Sequence, residues 1–413
     1  MPKIQSSEEE MVLPAWLFVL PWSPKSIGGV NEVVRNLSAE AARSQRFVPK
    51  TLVCDWSTSD PTEQVDASEG DFRLRLREPG PTLRAWKQNL AFMLHFIPTL
   101  LKLRTLIRSI EVSVINQHYA GLSGIYFATA KRLGWIDRFI ISVHGSDVTA
   151  MAASDRFRAR WWRWMIESSD SIVACSQSFA TEVERAAPKL LANITVVHNG
   201  VDLARCEIDL TTAGPGGTAG AVFLCVATLE HKKGIDLLIN AFEKIAERHP
   251  SYRLVVVGRW SAFLPQLQQQ IAALSSRAPG VASRIEIVSG ESHGQVLHRM
   301  QTATMMILPS RAEPFGIVLL EAGLMHVPVI ASRIGGIPEI IDDGVHGLLF
   351  PVEDVDALAA AMDRLLYEPE FRSTLANALH DRVVSDFTWT SAWFDYVGLV
   401  EHAVTLPADL PAN

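Results

Sequence analysis

Short apolar runs alternate with stretches whose apolar residues recur at intervals of three and four, along almost the whole chain. Apolar runs of strand length bounded by turn residues read as buried parallel strands. In the first half they fall at 15–21, 51–54, 112–116, 139–143, 171–176 and 194–197. In the second half they fall at 222–226, 254–258, 285–288, 305–308, 329–331 and 347–350. Helical periodicity fills the gaps. It runs through Val33, Val34, Leu37 and Ala41, through Leu83, Trp86, Leu90, Met93, Leu94, Ile97 and Leu101, and from about Ile235, 263–275, 354–366 and Trp389 to Val400. Pro98 is expected to kink or split the long stretch 82–108. Residues 57–71 are polar and acidic and read as a loop.

A strand–helix series that restarts after a break predicts an α/β chain of two doubly wound parallel-sheet domains, facing each other across a cleft. The length of 413 residues agrees, being too great for one ordinary core. The break is the Gly-rich stretch 206–220, with Thr211 to Gly217 at its centre. The expected domains are 1–207 and 208–385. A final helical segment, 386–413, is expected to pack back on the first domain.

Composition narrows the function. The net charge of −7 is unevenly spread, with a mildly basic first half and an acidic second half. That asymmetry is too weak for a nucleic-acid partner but allows an anionic surface. Cys54, Cys175, Cys206 and Cys225 are widely spaced, which points to a reducing compartment rather than a disulfide framework. The first ten residues end in three glutamates and lack the basic start of a secretory signal. No run of 18 apolar residues occurs, so the expected location is cytoplasmic, with a peripheral position on the inner face of the membrane as an option. Two stretches suggest that option, each with a plainer reading. Trp86–Arg108 is a membrane-surface helix or a core helix with solvated charges. Arg156–Trp164 meets anionic head groups or packs its tryptophans inside.

The candidate chemistry lies at predicted strand ends. After 305–308 comes Pro309-Ser310-Arg311-Ala312-Glu313-Pro314-Phe315-Gly316-Ile317, running on to Glu321. Pro314 suits a first helical position, so a helix is expected to open there, with the amides near Phe315, Gly316 and Ile317 free to bind an anion. Glu313 and Glu321 bracket them. Gly28-Gly29 follows the first strand, and His144-Gly145-Ser146-Asp147 follows the fourth. Lys233 follows 222–226 and offers a point charge to a diphosphate.

Order and combination of these motifs resemble the retaining GT-B glycosyltransferases of family 4, over roughly residues 15–400. Glu313 and Glu321 match the family's E-x7-E signature. Lys233-Gly234-Ile235-Asp236 matches its diphosphate-binding lysine segment, Gly28-Gly29 its N-terminal glycine loop, and His144-Gly145-Ser146-Asp147 its H-G-x-D segment. Gly335-Gly336-Ile337-Pro338-Glu339 also follows the family pattern. The resemblance implies a sugar donor such as a UDP- or GDP-sugar and a glycan or lipid-linked acceptor. It also implies no metal and no cofactor, and a place in cell-surface polysaccharide or glycolipid synthesis. By the same resemblance Glu321 binds ribose hydroxyls. Lys233, Thr228 and the amides of Phe315, Gly316 and Ile317 meet the donor. His144 and Glu313 lie nearest the chemistry, and Gly28, Gly29 and Asp147 lie on the acceptor or phosphate side.

Three positions depart from the pattern. Thr228 stands where the family has arginine five residues before the lysine, which weakens the expected diphosphate clamp. Lys232 is the expected compensation. His326 replaces a helix-capping glycine, and His346 replaces an asparagine in what reads as a surface turn. Thr228 also keeps open a partner protein that retains the fold without transfer; a third reading is a sugar-nucleotide epimerase of the same two-domain fold.

Overall fold

The computed structural model describes residues 13–24, 28–54, 71–145, 147–148, 151, 153–186, 194–204, 206 and 221–401. The expected linker Thr211–Gly217 and the border at 207/208 lie outside or beside these, as do Ser146 and the segment 25–27. The chain forms two compact units. One comprises Met1–Ala174, Glu182–Thr195 and Asp395–Asn413; the other comprises Cys175–Thr181 and Val196–Phe394.

The first unit holds a seven-stranded sheet of β1 (Ala15–Leu20), β2 (Val48–Val53), β3 (Asp71–Arg73), β4 (Val112–His118), β5 (Arg138–Ser142), β6 (Ser171–Ala174) and β7 (Ile194–Val196). The order is β3-β2-β1-β4-β5-β6-β7. The strands pair in parallel, with Leu20 of β1 opposite Val53 of β2 and Val19 opposite Gln117 of β4. All six residues of β1 are buried, as a strand covered on both faces requires. The expected loop 57–71 lies outside the described residues except for Asp71, where β3 begins; three residues of an edge strand give too little periodicity to read.

The helices of this unit are α1 (Gly29–Ser44), α2 (Trp86–Ser109), α3 (Gly124–Arg132), α4 (Arg156–Ile166) and α5 (Gln177–Ala186), the last crossing the unit border. Pro98 does not split α2, which is one helix of 24 residues. It is long and apolar enough to cross a membrane, yet Phe92, Leu100, Leu103 and Ile107 pack into the unit. The tryptophans of α4 face inward: Trp162 is buried and Trp161 meets Phe92 edge-on. From Asp395 on, the last helix belongs to this unit, where the Tyr396 hydroxyl bonds Ser142 Oγ at 2.9 Å.

The second unit repeats the plan with six strands: β8 (Val222–Val226), β9 (Arg253–Val257), β10 (Ile285–Val288), β11 (Met305–Leu308), β12 (Val329–Ser332) and β13 (Leu348–Phe350). Their order is β10-β9-β8-β11-β12-β13, all parallel. Its helices are α6 (Ile235–Ala246), α7 (Leu264–Arg277), α8 (Pro279–Ala282), α9 (His293–Thr302), α10 (Ile317–Leu324), α11 (Ile337–Ile340), α12 (Val355–Tyr367), α13 (Pro369–Asp386) and α14 (Trp389–Glu401), the last shared across the border. Phe223, Phe242, Leu254, Ile307 and Met362 centre its core.

In both sheets the order reverses at the first strand, between β1 and β4 and between β8 and β11. Ligands of open parallel sheets bind outside the carboxyl ends at such reversals. His326 caps α10 with φ 53, the left-handed conformation that a glycine takes without strain, so the departure there does change a helix cap. His346 is not a plain surface turn: only 15% of its side chain is exposed, and Nδ1 lies 3.0 Å from Arg382. All four cysteines are buried.

Candidate active site

In the second unit the loops after β8 and β11 are stitched together. The Lys232 carbonyl accepts the Arg311 amide at 2.7 Å, and the His231 carbonyl accepts Arg311 Nη1 at 2.8 Å. The Arg311 guanidinium grips both oxygens of Asp236, at 2.8 and 2.7 Å, and Glu353 at 2.8 Å. This fork holds the Asp236 carboxyl below its usual range, against the opposing push of burial. Arg311 is therefore a brace between loops.

The brace sets Lys233 against Glu313. Lys233 Nζ donates to Glu313 Oε2 at 2.6 Å, and the side chains are only 16% and 10% exposed. Ser310, wholly buried, bonds the same oxygen at 3.3 Å. The two residues expected on different parts of a donor thus pair with each other.

α10 opens at Ile317, not near Pro314. Pro314 lies outside the helix, its carbonyl accepting Ser176 Oγ at 2.6 Å, and Gly316 caps the helix at φ 107. That left-handed turn aims the chain into the helix. Among the described residues, the amides of Phe315, Gly316, Ile317 and Val318 donate to no protein group. They are orphan donors at the positive end of a helix, an arrangement that binds anions. Phe315 itself is buried and stacks on His198. Glu321, on the next turn of α10, accepts from or pairs with His293 Nε2 at 3.0 Å and is 17% exposed.

Thr228 follows β8 and is partly exposed. Beside it, on the neighbouring strand end, lies Arg259: the Leu229 amide donates to the Arg259 carbonyl at 3.1 Å, continuing the β8–β9 ladder. Arg259 is exposed and makes no ion pair or side-chain hydrogen bond among the described residues. The sequence points to Lys232 for a replacement cation, but Lys232 pairs with Glu230 at 2.9 Å. Arg259 and His293 escape sequence reading because register decides their neighbours. The signal present for Arg259 was its place directly after a strand-ending glycine.

In the first unit, Gly28 is the extended residue before α1, and a side chain at Gly29 would meet nothing within 4 Å. His144 follows β5. Its Nε2 lies 3.1 Å from His118 Nδ1 at the end of β4, and the rings stack. Asp147 differs from expectation. It is buried, and its carboxylate accepts the amides of His144, Gly145, Val148 and Ala120. Asp147 ties down the loop that carries His144, and burial raises its carboxyl pKa against the pull of those amides. A cavity of about 150 Å³ lies between the ends of β1 and β4, lined by Cys54, Glu78, Gln117, His118 and Tyr119 among others.

Burial lowers the His144 imidazole to about 4 and His118 well below its ordinary value, so both are neutral at pH 7. The unfolded chain then binds protons that the folded one refuses. The His144 contribution is fully present above about pH 6.5 and is lost as pH falls toward 4, on the order of 3 kcal/mol from this group. Urea midpoints across that window are expected to fall with pH in the parent and more shallowly in His144→Gln; identical slopes would refute the assignment.

Comparison with known proteins fits this geometry. The Glycosyltransferase Family 4 model matches residues 27–205, and the Glycosyl transferases group 1 model matches residues 217–381. A D-inositol 3-phosphate glycosyltransferase of Frankia alni is 30% identical over 314 residues, 71% of this chain and 74% of that protein. Glycogen synthase of Mycobacterium tuberculosis is 33% identical over 226 residues, so the match spans only about half of each protein, 55% and 52%. Anabaena HepE, solved with UDP, superposes with a TM-score of 0.68 at 19% identity, covering 95% of this chain and all of that one. Sequence, topology and motif positions agree: the chain belongs to the family 4 glycosyltransferases and has their two-domain, Rossmann-like GT-B fold.

Proposed function

We propose that the second unit binds a nucleoside-diphosphate sugar, and that the sugar passes with retention to a hydroxyl of a glycan or lipid-linked acceptor. The observation that carries this is the group of four unpaired amides at Phe315–Val318, set beside Lys233 at the sheet's reversal point. Anabaena HepE, solved with UDP-glucose, supports a donor of that class.

In this reading the diphosphate takes the amides and draws Lys233 from Glu313. Arg259 supplies the guanidinium that Thr228 does not, approaching from the adjacent strand. Glu321, held by His293, accepts hydrogen bonds from the ribose. Glu313, released from its lysine, accepts from a donor-sugar hydroxyl; in the first unit, neutral His144 hydrogen-bonds a hydroxyl of the acceptor. As the bond between the anomeric carbon and the phosphate oxygen breaks, charge grows on the departing diphosphate. Fixed amides and cations stabilise it without reorganising. The acceptor oxygen bonds the same face of that carbon, and its proton passes to the departing phosphate oxygen. No metal is required in this scheme. The setting is the cytoplasm, with the protein peripheral on the inner face of the membrane and working in cell-surface polysaccharide or glycolipid synthesis.

A thermal-shift panel of UDP- and GDP-sugars tests the reading. At least one is expected to raise the melting temperature, in EDTA as well as in magnesium, and Arg259→Ala is expected to weaken that ligand about tenfold or more. No shift with any member would remove the proposal; a full shift in Arg259→Ala would remove the arginine's part.

A further inference from the structure

One face of α2 is unexplained by the proposed transfer. Trp86, Leu90, Met93, Leu94, Ile97 and Leu101 are 63%, 43%, 63%, 65%, 58% and 52% exposed. Projected down the helix they share an arc of about 100°. The residues that anchor α2, Phe92, Leu100, Leu103 and Ile107, lie on a separate arc. So α2 has two apolar faces, and only one is used by the fold.

Charge identifies what meets the other. α2 contains no Asp or Glu but carries Lys87, Lys102, Arg104 and Arg108. At its start is a cavity of about 620 Å³ lined by Arg75, Arg77, Lys87 and Arg158. Among the described residues, Glu78, paired with Arg158 at 3.3 Å, is the one carboxylate in that lining. Lys87 belongs to both features: it borders the apolar arc and lines the cavity. An apolar stripe with Lys87 at its edge and the exposed Arg108 at its end, next to a basic hollow, is complementary to the acyl boundary and phosphates of an anionic bilayer.

We infer that the first unit docks on anionic membrane through the outer face of α2, with a lipid phosphate held by the Arg75–Arg77–Lys87–Arg158 cavity. The stripe enters the head-group boundary and the basic hollow selects anionic lipid. The helix lies along the membrane and does not cross it, because its inner face is packed into the unit. This rests on the lipid-linked branch of the proposed acceptor but requires neither donor nor acceptor to be bound.

The test is vesicle flotation at low ionic strength, without nucleotide sugar, using phosphatidylcholine alone and phosphatidylcholine mixed with phosphatidylglycerol. The parent is expected to float with the anionic vesicles and to be released by salt. Leu94→Asp with Ile97→Asp is expected to remove flotation. Lys87→Glu with Arg77→Gln is expected to cut the preference for anionic vesicles about tenfold or more. All four side chains lie outside the unit 1 sheet, and unchanged melting temperatures check that the variants fold. A parent that stays unbound overturns the inference, as does flotation unaffected in both variants. A parent dimer that Leu94→Asp with Ile97→Asp turns to monomer, without vesicle binding, assigns the stripe to a second copy and also overturns it. None of these outcomes touches the thermal-shift result, so the two proposals fail separately.

Discussion

Lys233→Ala is expected to lower transfer, measured as kcat/KM for the donor, by about 10²–10³-fold, the loss typical of removing one preorganised partner of a developing charge. Lys233 and Glu313 are 2.6 Å apart and both mostly buried, so each offsets the other's desolvation. A diphosphate replaces one partner of that pair and frees the carboxylate for the sugar. Without the lysine, Glu313 is a buried charge facing incoming anions, and the cost appears in binding and in the chemical step together. Glu313→Gln makes the opposite change. It leaves Lys233 unpaired and is expected to hold the nucleoside diphosphate more tightly while transfer slows. Activity of Lys233→Ala within about threefold of the parent would show that the lysine is not on the diphosphate.

Gly335→Ala is expected to disable the site from a distance. Gly335 has φ 56, and a Cβ there would lie 1.8 Å from the Glu313 carbonyl oxygen. That carbonyl also accepts the Gly336 amide at 3.1 Å, so the glycine turn seats the loop that carries Glu313. Left-handed strain alone costs about 1–2 kcal/mol, and the backbone overlap forces the loop to shift. A displacement near 1 Å at the site is enough for a loss of about a hundredfold in rate. The expected result is a lower melting temperature together with that loss. A variant as stable and active as the parent would mean that the Glu313 loop is not held by this turn.

Much of this arrangement is readable before any coordinates. The strands of both sheets follow from apolar runs because a parallel sheet is buried on both faces. Lys233, Glu313 and His144 become candidates because they follow those runs, and Glu321 because it stands eight residues after Glu313 in the family's pattern. What fails to show is whatever depends on neighbours distant in sequence. Pro314 is a reasonable helix opener by composition, yet its carbonyl is taken by Ser176 and the helix waits for Gly316. Asp147 looks like a ligand-side carboxylate until four buried amides are found on it. Arg259 becomes relevant only when β9 lies beside β8. The outer face of α2 has the periodicity of a core helix, and only burial separates the face that packs from the face that does not.

The central claim is that the amides of Phe315–Val318, with Lys233 and Glu321, bind the nucleoside-diphosphate part of a donor. Calorimetric titration with UDP and with GDP, on the parent and on Glu321→Ala, tests it most directly. The parent is expected to bind at least one of them, and Glu321→Ala to weaken it about tenfold or more, as the loss of a charged hydrogen-bond partner requires. Equal affinity in parent and variant, or no binding of either nucleotide to the parent, would contradict it.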